Sequence, residues 1–276
     1  MEEEKVTTAL KELYEAGIRN ICALRGDPPK GQEEWKATEG GFTCALDLVK
    51  HIKKLYGDYF NLSVAGYPEG HPNVIKEVEN EDNLSEEEKG RLVVREGKKY
   101  VCSDEDYKGE MDYLKKKVDA GAGMIITQMH FDTDVFLKFV KDCRKWGINV
   151  PVIPGLMLIQ NYGGFCRMTD FCRTRVPQWI WDRLEPIKDD PDEVRAAGVE
   201  IGTRMCKELF AGGVHGIHFY SLNLEKVTYG ILNELGMYNP VEGCPELPKS
   251  KPGSATPVPA PAEKHSISGE AAAKAQ

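Results

Sequence analysis

Arg25 and Asp27, separated by one glycine and followed by Pro28 and Pro29, close a short apolar run in "CALRGDPPKG". A guanidinium is a planar fork of donors suited to phosphate, and Gly26 lets a ligand come against the backbone. Asp27 supplies a fixed negative charge beside them. The other reading of these residues, an adhesion tripeptide or a plain charged turn, has no secretion signal behind it and does not explain the strand-like run in front. Four more apolar runs end in unusual polar residues: "AGYPEGHP", "ITQMHFD", "IPGLM" and "HFYSLN". In a β/α barrel the strand fixes the backbone and the following loop frees the side chain, so the C-terminal strand ends build the site. An open doubly wound sheet also collects ligands at strand ends, but the glycine-rich fingerprint GxGxxG is absent.

The elements that must position these residues alternate as helices and strands, the pattern of βα units on a parallel sheet. Val6, Leu10, Leu13 and Tyr14 predict a helix over 6–16 with Gly17 as its cap, followed by the strand "NICAL". "ALDLVKHIKKLY" leads through Gly57 into "LSVAGYP", and "MDYLKKKVDAG" into "MIITQM". "TDVFLKFVKDCRKWG" has an Asp132/Thr133 start and Gly147 at its end, and feeds "VPVIPGL". Residues 162–211 read as helical throughout, then "GIHFYSL" precedes a last helix, "EKVTYGILNELG". Five strands are expected. Residues 77–108 are crowded with acids and contain "RLVVREGKKYVC", a small hairpin around Glu96 and Gly97, so they read as a surface insertion. Residues 245–276 turn to Pro, Ala, Ser and Lys and are expected to be a disordered tail beyond a domain spanning 1–240.

The formal charge of −8, from 36 basic and 44 acidic residues, gives no field for nucleic acid or an anionic membrane, so a polyanionic ligand must be met by local cations. The eight cysteines lack CxxC or zinc-type spacing, so no metal site is expected and a reducing compartment is. "MEEEKVTTAL" has no apolar signal segment and no run reaches the length of a membrane span, which makes the cytosol the default location.

Taken in order, "LRGDPP", "VAGYPEGHP", "DAGAGMIITQ", "IPGLM", "GFCRMTDFC", "LEPIKD" and "HFYSLN" resemble the methylenetetrahydrofolate reductase family, and their wording is similar to the plant-type catalytic domain over about residues 5–237. The resemblance implies a (β/α)8 TIM-barrel fold, FAD as cofactor, NADH or NADPH as reductant and methylenetetrahydrofolate as the small-molecule substrate, in one-carbon metabolism and methionine supply. It places Arg25, Gly26 and Asp27 against FAD, with Asp27 also the catalytic carboxylate that stabilises a cationic iminium form of the folate. It adds Ala45, Tyr67, His71 and Pro72 to the flavin surface, Lys117 to the diphosphate and Glu110 to the ribose hydroxyls. Gln128 and Tyr220 fall on the folate side, Gln128 because an amide offers a donor and an acceptor to a pterin edge. Away from the resemblance, His71 also reads as a residue bracing a proline loop, Gln128 as a turn cap and Tyr220 as core packing. Leu158, Trp179 and Trp181 read as packing, His218 as structural, and Lys115 and Lys116 as a solvated face.

The sequence departs from the family pattern at named points. Cys44 stands where most relatives have a flavin-contacting tyrosine, and Leu224 where bacterial relatives have a folate-contacting arginine. Leu158 replaces a proline. The family's first three strands, including "FEFFPP" with the general-acid glutamate, have no counterpart here, so the expected fold is an incomplete barrel of five of the eight βα units. Glu69 is the one glutamate near a strand end to weigh as a substitute acid. The chain is read as an incomplete version of a longer protein or a truncated homologue. The alternative functions are a non-catalytic homologue that keeps part of the flavin surface and pairs with a full-length subunit, and a nucleotide-binding module without redox chemistry. A homo-oligomer is compatible with either.

Overall fold

The computed structural model of the protein describes residues 1–26, 35–95 and 97–238; Asp27, Glu96 and the 245–276 segment lie outside the described residues. In chain order the elements begin α1 (Glu3–Glu15), β1 (Asn20–Ala23), α2 (Ala45–Tyr56), β2 (Asn61–Gly66), β3 (Ile75–Val78), α3 (Glu86–Lys89), β4 (Val93–Arg95) and β5 (Lys98–Cys102). They continue with α4 (Asp104–Asp119), β6 (Met124–Met129), α5 (Thr133–Lys145), β7 (Val152–Met157), α6 (Tyr162–Phe171), α7 (Gln178–Leu184), α8 (Pro191–Ala211), β8 (His218–Tyr220) and α9 (Lys226–Glu234). No helix among the described residues is long and apolar enough to cross a membrane.

The five expected strands form one sheet in the order β1-β2-β6-β7-β8, every pair parallel, so all five C-terminal ends share one edge. This is a parallel half-barrel, as the alternating pattern predicts. The register between β6 and β7 shifts between Ile126 and Met129, the irregularity that flanks Thr127 and Gln128. Leu62, Val64 and Ile125 pack with Val49 and Ile52 of α2, Leu114 of α4 and Phe139 of α5 in one apolar cluster. A second cluster joins Leu156 and Met157 of β7 to Val194, Ile201 and Met205 of α8 and Ile231 of α9. Alternation turns Cys22 away from Ala23 and Gln128 away from Thr127, and His218 and Tyr220 share one side of β8; all four are at least partly exposed.

Local boundaries follow from capping chemistry. Helix α1 starts at Glu3, earlier than its apolar spacing predicts, because Glu3 and Glu4 in the first turn face the positive end of the helix dipole. Helix α5 starts as predicted: the Asp132 side chain accepts from the Asp134 amide. The 162–211 stretch is not one helical run. It breaks at 172–177, where Pro177 occupies the cap position of α7, and again at 185–190, between α7 and α8. The acidic segment does contain the hairpin, β4 against β5, but β3 joins on the far side of β5 to make a three-stranded antiparallel sheet, and α4 begins already at Asp104. Because this small sheet is inserted directly after the C-terminal end of β2, it stands at the same edge as the other strand endings.

Candidate active site

The site is assembled from the segments that follow β1, β2, β6 and β8, and from one face of α4. Glu110 and Lys117 lie seven residues apart on α4, two helical turns, so both project to the same side. They line a small cleft with Ala65, Gly66, Tyr67 and Phe139, at the C-terminal end of β2. Lys117 is buried, and its Nζ donates to the carbonyl of Ala65 at 2.6 Å. Burial lowers the ammonium pKa to about 8 against the pull of the Glu110 carboxylate. The Glu110 carboxyl is itself raised, by burial first, with Lys117 opposing. The Tyr113 ring lies 5.0 Å beneath the Lys117 ammonium, and its hydroxyl bonds the Cys44 side chain at the start of α2. That contact brings the N-terminus of α2, and with it the half-buried Ala45, to the same cluster.

Tyr67 and His71 meet edge to face with ring centroids 4.7 Å apart. His71 Nδ1 accepts from the Asn73 amide and caps the short 3-10 turn that Pro72 opens, so the bracing role is present in this histidine. The loop is also pinned by Gly70, whose φ is +99° and where a Cβ would stand 2.6 Å from Cys102 Sγ on β5. Gln128 Oε1 accepts from the Met129 amide at 2.9 Å, which fixes the orientation of its carboxamide. Tyr220 reaches across β7 to donate its hydroxyl to the Thr127 carbonyl on β6 at 2.9 Å, and burial pushes its pKa up to about 12. It passes over Gly155, where a Cβ would stand 2.3 Å from the Thr127 oxygen and 2.5 Å from the Tyr220 ring. Its ring also meets His218 edge-on at 4.6 Å. The packing role expected of both residues is therefore visible.

Arg25 and Gly26 follow β1 on the same edge and are exposed, with the guanidinium 5.0 Å over the Trp35 ring. Asp27 is outside the described residues. Glu69 is buried: its Oε2 accepts from the Arg175 amide at 3.1 Å, and burial raises its pKa to about 8. Its carboxyl group meets the turn at 172–177, and Glu69 is not among the residues lining the cleft beside Lys117.

A family model for methylenetetrahydrofolate reductase matches residues 1–236. The chain belongs to the methylenetetrahydrofolate reductase family. Its relatives include methylenetetrahydrofolate reductase (NADH) 1 of Arabidopsis thaliana, 47% identical over 91% of this chain and 39% of the relative. Methylenetetrahydrofolate reductase 2 of Saccharomyces cerevisiae is 40% identical over 84% of this chain and 34% of its own length, and the Pectobacterium carotovorum 5,10-methylenetetrahydrofolate reductase is 31% identical over 85% and 66%. The chain thus spans about two fifths of the length of the plant relatives it matches. Among solved structures, an uncharacterized Clostridium thermocellum protein that binds two copies of 5-methyl-5,6,7,8-tetrahydrofolic acid superposes with a TM-score of 0.40 at 14% identity, covering 74% of this chain and 63% of that one, too slight a likeness to bear on fold or function.

In this member of the methylenetetrahydrofolate reductase family, three residues of the strand-end region escape a reading of the sequence. Tyr113 falls in the helix read from "MDYLKKKVDAG", His130 carries no chemical signal of its own, and Arg175 falls in the stretch read as helical. His130 is fully buried, stacked on Phe136 at 5.1 Å, with its pKa lowered to about 4 by burial, so it is a neutral packing residue. For Arg175 a signal existed: Pro177 two residues later disfavours a continuing helix.

Proposed function

We propose that this chain carries the flavin and folate surfaces of a methylenetetrahydrofolate reductase, in which NADH or NADPH reduces FAD and methylenetetrahydrofolate is reduced to 5-methyltetrahydrofolate. The observation that carries this reading is the cleft at the end of β2, where a buried cation and a carboxylate, both from α4, meet an aromatic ring from the loop after β2. The donor set fits a flavin dinucleotide. Lys117 is a desolvated ammonium that a diphosphate would stabilise, Glu110 is a carboxyl group for ribose hydroxyls, and Tyr67 with His71 offers a ring face and an imidazole. FAD, when bound, supplies the two-electron carrier between the nicotinamide and the folate.

The chain's own groups bind, orient and stabilise. Arg25 and Gly26 follow a strand at the same edge as the cleft, and Asp27 is assigned the negative charge that favours a cationic folate during reduction. Gln128, oriented by the Met129 amide and set in the β6 irregularity, is assigned to the pterin edge. Tyr220, tied to Thr127, is assigned to the same side of the sheet. His71, Pro72 and Ala45 complete the flavin wall. Glu69 is not assigned the acid role, because its carboxyl group is buried against Arg175. The plant relatives named for NADH favour NADH, while a Caenorhabditis elegans relative is named for NADPH.

Purification tests the reading directly. The expected protein is yellow, bleaches with NADH and regains its absorbance with methylenetetrahydrofolate. A colourless protein that acquires flavin only beside a longer homologue supports the non-catalytic alternative, and one that binds adenine nucleotides without flavin supports the third.

A further inference from the structure

Three features of the molecule meet at Arg175. Its backbone amide donates to Glu69 Oε2 at 3.1 Å, its Nε to Asp132 Oδ2 at 2.9 Å and its Nη1 to the Leu92 carbonyl at 2.9 Å. These partners lie 106, 43 and 83 residues away along the chain, in the loop after β2, at the cap of α5 and just before β4. Both oxygens of Asp132 are engaged, since Oδ1 caps α5 through the Asp134 amide. The turn that carries Arg175 is itself held: Arg173, with φ at +49°, donates to the Ile75 carbonyl, and the Thr174 carbonyl accepts from Arg95.

We propose that Arg175 is a positioning residue that clamps the loop bearing Tyr67 and His71 to the end of β6 bearing Gln128. The inference rests on the reductase reading above, in which the first loop meets flavin and the second meets folate. The clamp fixes the separation of those two surfaces, a distance the hydride transfer depends on. Glu69 is its proton-sensitive member. It is buried, its Oε1 has no hydrogen-bond partner, and the charged groups acting on it are Asp132, which opposes ionisation, and Arg175 and Arg95, which favour it. A neutral Glu69 keeps the loop seated. Seated, Glu69 holds its proton to about 8, whereas in an opened loop it would ionise near 4.5, so the loop loosens as pH rises from 4.5 towards 8.

The test uses the full chain in two measurements. Hydrogen–deuterium exchange is followed over residues 67–75 and 128–132 without flavin at pH 5 and pH 8, corrected for intrinsic rates, and FAD affinity is measured at pH 7 by flavin fluorescence. Arg175→Ala removes the bonds to Asp132 and Leu92 but keeps the amide that Glu69 accepts from. It is expected to speed exchange over 128–132 and, by freeing the turn that holds Glu69, over 67–75, and to weaken FAD about tenfold, with Arg175→Lys intermediate because it can replace only one side-chain bond. Glu69→Gln, a mimic of the neutral acid, is expected to keep wild-type exchange at pH 5 and to remove the acceleration that wild type shows at pH 8. Unchanged exchange in both Arg175 variants, or the same pH step in Glu69→Gln as in wild type, overturns the clamp. Should Arg175→Ala not fold, Arg175→Lys decides alone. Absence of FAD binding by the wild type would count against the reductase reading, while the exchange arm still judges the clamp.

Discussion

Lys117 shows how a buried cation can cost stability. Its folded pKa, about 8, lies below the ordinary lysine value of 10.5, so the folded chain holds its proton less tightly than the unfolded chain. Stability therefore rises with pH between those values, and at pH 7 the buried charge is a net cost. Lys117→Met is expected to leave the melting temperature at pH 7 equal to wild type or higher, while FAD affinity falls sharply; calorimetry and flavin titration check the two halves. In wild type, FAD affinity should fall as pH climbs above about 8, because the free protein then loses the ammonium that a diphosphate would hold. Tyr220 is a simpler case. Tyr220→Phe deletes the bond to the Thr127 carbonyl, and a loss of about 1 kcal/mol in urea unfolding is expected.

At the level of elements, Gly155 is what lets β8 reach β6 over β7. A methyl group there would meet the Thr127 backbone oxygen at 2.3 Å, and a backbone atom in a paired strand cannot step aside. Gly155→Ala is expected to cost about 3 kcal/mol or more, read as a lowered urea midpoint with little change in slope. The same elements show what a sequence can disclose. All five sheet strands were legible, because each is a compact apolar run bounded by turn residues, and the Asp132 cap could be read from residue type alone. Of the break at 172–177 only Pro177 gave a sign; no glycine marks the point where α6 stops at Phe171. Strand β3 was missed because "IKEV" is polar and acquires its conformation from β5, a pairing between distant positions. At the site, the strand-end location of Tyr67 and Gln128 was legible. The convergence of α4 with the loop after β2 rests on packing of α2 against α4, which no local pattern states.

For the whole molecule, Glu69 makes stability depend on pH. The unfolded carboxyl loses its proton near 4.5, whereas the folded one keeps it to about 8, so the native state binds more protons across that window. Its contribution is complete below 4.5 and declines as pH rises towards 8. Urea unfolding at pH 6 and pH 8 should therefore give a steeper decline for wild type than for Glu69→Gln; parallel declines would contradict the assignment.

The four tryptophans divide the molecule into optically separate districts. Trp146 packs with the cluster around β1 and β2, Trp179 and Trp181 belong to the cluster around β7 and α8, and Trp35 sits under Arg25. Variants that keep Trp146 alone, or the Trp179/Trp181 pair alone, would give emission traces for each half during unfolding, and a mismatch between them would reveal stepwise melting. Trp35 alone would report on the mouth of the half-barrel, where energy transfer to an arriving isoalloxazine should dim it first.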